Sequence, residues 1–233
     1  MKPAEDRMTS QDRNEEPRFD GARVLLKPFR FRAVPEDTAE RNARLEPMIR
    51  AAWHSADRGG RTLYETAAQL RAAADAVDAG RDLRMPGIDI SSAALREIAD
   101  LVLEWNAGRA QRLLDVTPTS SELAYRFPQL LGMLVGYYGQ DGTAVEEYPD
   151  DPRRSLQVVI DDWHPRCLWY VPCVAAQCQE ALTLFQTEEA LRRFFLREHL
   201  GDSAGLPWLE WLPLIIDVFG EHMRAHHPPR WTA

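Results

Sequence analysis

Residues 127–141 read FPQLLGMLVGYYGQD, and this stretch indicates most clearly what kind of fold the chain adopts. Pro128 occupies a position where proline favours the first turn of a helix. The apolar side chains that follow are spaced three and four residues apart, at Leu130, Leu131, Leu134, Val135 and Tyr138. Because this spacing places them on one face of an α-helix, the segment is predicted to be an amphipathic helix packed against a hydrophobic core.

Helical spacing of the same kind extends from this segment in both directions along the chain. Apolar faces recur within 38–56, 62–79, 91–105, 152–163, 168–185, 187–195 and 207–219. Residues 22–34 instead alternate between apolar and polar side chains, a pattern that favours one short strand near the N-terminus. We therefore predict a mainly α fold, a helical bundle in two halves with at most that one short strand.

Polar segments divide the chain into three predicted regions. Residues 1–20 are rich in charge and almost devoid of apolar side chains, which indicates a flexible tail. The stretch VTPTSSE at 116–122 combines a proline with four hydroxyl side chains and is typical of a linker. The predicted regions are the tail at 1–20, a mostly helical module of unknown role at 21–118 and a second helical domain at 119–233.

Composition and charge argue against two classes of partner. The 233 residues carry a formal net charge of −8, and no dense basic stretch offers the phosphate contacts that nucleic-acid binding needs. The N-terminus has no apolar stretch typical of a signal peptide. Uncharged runs such as 167–179 are too short to cross a bilayer. We therefore expect a cytoplasmic protein that binds neither nucleic acid nor membrane.

Motifs of nucleotide-binding proteins and zinc proteases are absent, since the chain has no GxxxxGK[ST], no GxGxxG and no HExxH. His222 and His226 lie four residues apart and would share a helix face, where two imidazoles and a carboxylate could hold zinc. Cys167 follows His164 at a spacing open to a nucleophilic pair. We interpret the histidines as a solvated helix end and all three cysteines as reduced, buried thiols. No metal, cofactor or catalytic residue is predicted.

Acidic side chains are concentrated within 141–162, where seven acids and two arginines give a net charge of −5. Such a cluster is usually a solvated face, and paired carboxylates can also perform acid–base chemistry. A third interpretation is a binding surface for a basic protein, because clustered carboxylates speed association with such a partner. Basic partners include nuclease toxins, whose clefts bind phosphate.

The segment 127–141 also resembles the opening of the contact-dependent growth inhibition (CDI) immunity proteins. In that family a Phe-Pro-x-Leu start leads to a pair of aromatic residues and then Gln-Asp, here Tyr137-Tyr138 and Gln140-Asp141. Later segments are similar to the family's next elements, so that the resemblance covers roughly 125–225. The family usually has Trp after Gln-Asp, whereas this chain has Gly142, which is also typical of a helix C-terminal turn with a positive φ.

The resemblance implies a small helical protein that is not an enzyme. It would bind and neutralise the toxic C-terminal domain of a polymorphic toxin delivered between neighbouring bacteria. The residues predicted to contact the toxin are Tyr137, Gln140, Asp141, Glu146, Glu147, Asp150, Asp151, Asp161 and Asp162. Two alternatives stay open: a helical adaptor or regulatory domain with another protein partner, and a metal-dependent hydrolase that uses the His222/His226 region.

Overall fold

A computed structural model describes residues 19–83, 85–140 and 142–228, and these ranges contain eleven α-helices and no strand. The predicted mainly α fold is confirmed. The predicted tail at 1–20 falls outside the described residues except for its last two positions. Contacts between residues divide the chain into two compact units, with the boundary between Glu122 and Leu123.

The first unit is built from a short N-terminal helix and three longer ones. The helices are α1 (Asp20–Leu25), α2 (Thr38–Ala56), α3 (Leu63–Asp78) and α4 (Ser92–Arg112), followed by α5 (Ser120–Ala124), which contains the boundary. The α3 and α4 helices pack along one another. A capping box begins α3, because the Thr62 hydroxyl accepts from the Glu65 N–H while the Glu65 carboxylate accepts from the Thr62 N–H.

The predicted strand at 22–34 is wrong. Helix α1 covers the first part of this segment, and a 3₁₀ turn over Lys27–Phe29 follows it. The fully buried side chains in the segment are Ala22, Leu25, Leu26 and Phe29. Their separations of three and four residues are typical of a helix. One buried helical face therefore accounts for the apolar positions that the strand prediction explained by apolar–polar alternation.

A buried ion pair joins α2 to α5 within the first unit. The Arg50 guanidinium donates from Nε to Glu122 Oε1 at 3.1 Å and from Nη2 to Glu122 Oε2 at 2.9 Å. Both side chains are less than one-tenth exposed. The two parallel hydrogen bonds compensate charges that would otherwise be costly to remove from water.

The second unit surrounds an aromatic core. Its helices are α6 (Pro128–Tyr138), α7 (Thr143–Glu147), α8 (Pro152–Trp163), α9 (Cys167–Leu184), α10 (Glu188–Arg192) and α11 (Trp208–His226), with a π-helical turn over Arg193–Glu198. The large side chains that are buried include Phe127, Tyr138, Phe195, Trp208, Trp211 and Phe219. Helix α6 is amphipathic, and Leu130, Leu134 and Tyr138 are buried as predicted, but the prediction is wrong at Val135, which is exposed.

Candidate functional site

Tyr137, near the end of α6, meets Asp162 near the end of α8. The Tyr137 hydroxyl donates to Asp162 Oδ2, and the tyrosine ring packs edge-on against Trp163 with 6.0 Å between ring centroids. Partial burial, together with the adjacent Asp162 carboxylate, raises the pKa of Tyr137 to about 12. The side chain is therefore a neutral hydrogen-bond donor at physiological pH, and it fixes the orientation of the Asp162 carboxylate.

A groove with a volume of about 460 Å³ runs between α7 and α8. We call it the acidic groove; it is lined by Glu147, Tyr148, Arg154, Gln157, Val158, Asp161 and Asp162. Three of the acids predicted to bind the toxin are therefore brought together here. The Arg154 guanidinium lies over the Tyr148 ring, 4.5 Å from its centroid, so this cation is partly engaged by an aromatic face.

The other predicted acids differ in whether their carboxylates have hydrogen-bond or ion-pair partners within the protein. Glu146, Glu147 and Asp150 are exposed and have no ion-pair or hydrogen-bond partner among the described residues. Asp151 caps α8, since its carboxylate accepts from the Arg154 N–H at 3.0 Å. Asp161 accepts from the Gln157 amide at 2.7 Å. Three acids are thus open to a partner, and Asp151 has a structural role of its own.

The turn after α6 carries the remaining predicted residues. Gln140 is exposed, and Asp141 lies outside the described residues. Gly142 has a φ of −75°, so the expected positive φ is wrong. Glycine is required here for a steric reason, because a Cβ at this position would overlap the carbonyl oxygen of Tyr137. The tryptophan that the immunity family usually has here would not fit this backbone.

A second cluster of chemically active side chains lies in the same unit. His164 directly follows α8, Cys167 begins α9, and His222 and His227 lie near the end of α11. The Cys167 sulfur is 3.4 Å from His164 Nδ1, 3.4 Å from His222 Nε2 and 3.0 Å from His227 Nε2. One nitrogen from each histidine and the sulfur lie within 4.8 Å of one another. We call these four residues the Cys–His cluster.

The Cys–His cluster brings His164 and Cys167 together, as their spacing in the sequence suggested, but it does not contain the predicted pair of His222 and His226. His222 was paired with His226, and the two rings do lie 4.8 Å apart, but His226 is exposed and outside the cluster. Burial lowers the pKa of His222, and repulsion from the neighbouring imidazoles lowers it further, which favours the neutral ring.

The three cysteines have two kinds of environment. Cys167 and Cys178 are buried as predicted, and burial raises the pKa of the Cys178 thiol. Cys173 is exposed, so the prediction of three buried thiols is wrong at this position. Proline inside α9, at Pro172, does not end the helix, and the Cys173 side chain lies on its solvent face.

Residues 201–205 read GDSAG, which has the G-x-S-x-G spacing of many serine hydrolases and is not among the motifs considered above. In those enzymes the serine is exposed on a sharp turn between a strand and a helix. Here the segment joins the π-helical turn to α11, and Ser203 is buried with its hydroxyl donating to the Leu206 carbonyl oxygen at 2.6 Å. That environment does not fit a nucleophile.

No family model, curated protein or solved structure matches the chain. Among the described residues, no helix combines the length and the apolar character that crossing a membrane requires. Function is therefore inferred from the acidic groove and the Cys–His cluster themselves.

Proposed function

We propose that the protein is an immunity protein, which binds and neutralises the toxic C-terminal domain of a contact-dependent bacterial toxin in the cytoplasm, without catalysis of its own. The observation that carries the proposal is the acidic groove. Of the described residues that line it, Glu147, Asp161 and Asp162 are carboxylates and Arg154 is the one cation. A groove of this sign attracts a basic protein and repels nucleic acid.

The acids of this region combine two properties that suit a binding surface. Asp161 and Asp162 are held by Gln157 and Tyr137, so their carboxylates lose little conformational freedom on binding. The exposed acids of α7 and Asp150 have no partner among the described residues, so a partner's cations need not displace an internal ion pair. Tyr137 adds a partly exposed aromatic ring, a side chain that often contributes strongly to interfaces.

The sign and density of charge also favour one class of toxin. An enzyme that cleaves nucleic acid needs a basic cleft for phosphate groups. Clustered carboxylates present a phosphate-like charge to such a cleft and can occupy it without being cleaved. We therefore propose a nuclease toxin domain as the partner, with association that weakens as salt concentration rises.

Co-expression with the toxin domain encoded beside this gene tests the proposal. We expect growth to be rescued and a one-to-one complex to be purified from the same cells. Binding without rescue would favour the adaptor alternative. Neither rescue nor a complex, with both proteins shown to be folded, would contradict the proposed function.

Charge reversal locates the contact surface. The variant Glu146→Lys, Glu147→Lys, Asp150→Lys leaves the α8 cap at Asp151 intact. We expect its affinity for the toxin to fall by about 10- to 100-fold at low salt, mainly through a slower association rate.

A matched control changes the net charge by the same amount at a distance in sequence. Glu36→Lys, Asp89→Lys, Asp115→Lys reverses three exposed acids of the first unit. We expect this control to bind nearly as tightly as the unchanged protein in surface plasmon resonance. Equal losses in both triple variants would show that net charge, and not the acids at and beside the acidic groove, governs association.

A further inference from the structure

The geometry of the Cys–His cluster is close to that of a metal site. In a tetrahedral zinc site, Zn–S is about 2.3 Å and Zn–N about 2.0–2.1 Å, which separates the sulfur from each nitrogen by about 3.5 Å. The three sulfur–nitrogen distances here are 3.0, 3.4 and 3.4 Å. The four candidate ligand atoms lie within 4.8 Å of one another, so small side-chain rotations can bring them into place around an ion.

Hydrogen bonding alone leaves this arrangement poorly satisfied. A thiol has a single, weak S–H donor, so at most one of the three ring nitrogens can accept from Cys167. Each of the other two nitrogens then either donates its N–H to the sulfur, which is a weak acceptor, or points its own lone pair at a lone pair of the sulfur. A cation at the centre would instead receive one lone pair from each of the four side chains.

We propose that His164, Cys167, His222 and His227 bind one Zn²⁺ ion. Imidazole nitrogen and thiolate sulfur are ligands that zinc prefers, and four protein ligands complete its tetrahedral coordination. Such a filled site has no open position for water or substrate. The zinc is therefore structural, and this proposal replaces the sequence-based expectation of no metal.

The ion joins chain segments that are distant in sequence. Cys167 is the first residue of α9, and His227 directly follows α11, so the metal ties the start of one helix to the end of the other. His164 adds the turn that follows α8. The unfolded chain offers no such preformed site, so zinc binding stabilises the second unit.

Metal content and spectroscopy of the full-length protein test the site. After removal of metal with a chelator and titration with ZnCl₂, we expect one zinc per chain by elemental analysis and a rise in Tm of about 5–10 °C. Co²⁺ in place of zinc should give a thiolate-to-cobalt charge-transfer band and the intense visible bands of tetrahedral cobalt. Failure to bind stoichiometric zinc at micromolar concentration would overturn the proposal.

Substitutions separate these ligands from the neighbouring histidine. His164 is exposed, so His164→Ala should fold normally while its zinc affinity falls by more than about 100-fold. Cys167→Ser should lose the charge-transfer band. The matched control is His226→Ala, on the same helix as His222 but outside the cluster, and it should bind zinc as the unchanged protein does. Equal loss in His164→Ala and His226→Ala would overturn the assignment of ligands.

Discussion

The two units of the chain both contain ion pairs, but they differ in net charge and in how their exposed acids are placed. The first has a net charge of −2 and the second a net charge of −6. In the first unit, arginines pair with acids on neighbouring helices, as Arg96 of α4 does with Asp75 and Asp78 of α3 at 2.7 and 2.8 Å. The second unit has such pairs too, as between Arg153 of α8 and Glu221 of α11, but the acids of α7 have no partner among the described residues.

This difference affects which carboxylates are available to a binding partner more than it affects the stability of either unit. Exposed ion pairs contribute only about 0–1 kcal/mol each, so the pairs of the first unit add modestly to its stability. They do, however, neutralise its surface locally. The second unit buries a large aromatic core and leaves Glu146, Glu147 and Asp150 without an internal partner among the described residues. Folding of the second unit therefore rests on its buried core, whereas we propose that these exposed acids serve recognition.

The largest expected effect is in the aromatic core of the second unit. Phe195 is fully buried, with ring centroids 5.0 Å from Phe194 and 5.2 Å from Trp208. Phe195→Ala leaves a cavity and should lower the free energy of unfolding by about 3–5 kcal/mol, measured by urea denaturation. Trp169→Ala is the control, because that side chain is 72% exposed, and it should change stability by less than about 0.5 kcal/mol. Similar losses in the two variants would contradict this account of the core.

The buried ion pair of the first unit comes next. Glu122→Gln removes the closest counter-charge of the buried Arg50 and leaves only the longer contact with Glu46 at 3.7 Å, so it should cost about 3 kcal/mol in the unfolding of that unit. Asp100→Asn is the control, since it breaks an exposed pair with Arg71 and should cost less than about 1 kcal/mol. If the double variant Arg50→Met, Glu122→Leu is as unstable as Glu122→Gln, the buried charge of Arg50 is not the cause.

A smaller effect is expected at alkaline pH. The pKa of Tyr137 is raised to about 12 in the folded protein, whereas an unfolded tyrosine titrates near 10. Its contribution to stability is therefore complete below pH 10 and is lost as the pH rises from about 10 to 12. Tyr137→Phe should remove this contribution, about 1 kcal/mol or less after solvent screening, so its stability should fall less steeply over that interval. Parallel curves for the two proteins would contradict the prediction.

The smallest effect on stability is expected for the unpaired acids. Glu146→Gln with Asp150→Asn should change the free energy of unfolding by no more than about 0.5 kcal/mol, because neither side chain has a partner to lose among the described residues. Thermal denaturation at low and high salt measures this. A clear loss of stability would show that these acids serve the fold, and the contrast between the two units would disappear.

Local signals in the sequence predicted the helices well. The apolar spacing at 38–56 corresponds to α2, and the spacing at 187–195 corresponds to α10 and the π-helical turn that follows it. Such signals act within one or two turns, so they are readable without knowing the fold. The strand prediction at 22–34 is wrong because this short segment fits both the two-residue spacing of a strand and the three- and four-residue spacing of a helix.

The Cys–His cluster could not be predicted in the same way. His164 and Cys167 are close in sequence, but His222 and His227 approach them only because α9 and α11 pack together. Spacing on one helix favoured His226 as the partner of His222. The ligand-like residue is instead His227, where the chain leaves the helix with a φ of −133° and turns its ring towards Cys167.

The ion pair between Arg50 and Glu122 also decides where the chain can be divided. A fragment that stops at residue 118, the boundary predicted from the sequence, would lack the carboxylate that Arg50 binds. Extending the fragment by four residues, through Glu122, restores it. Separate production of the two halves, and any exchange of the first half between related proteins, should therefore keep Glu122 with the segment that precedes it.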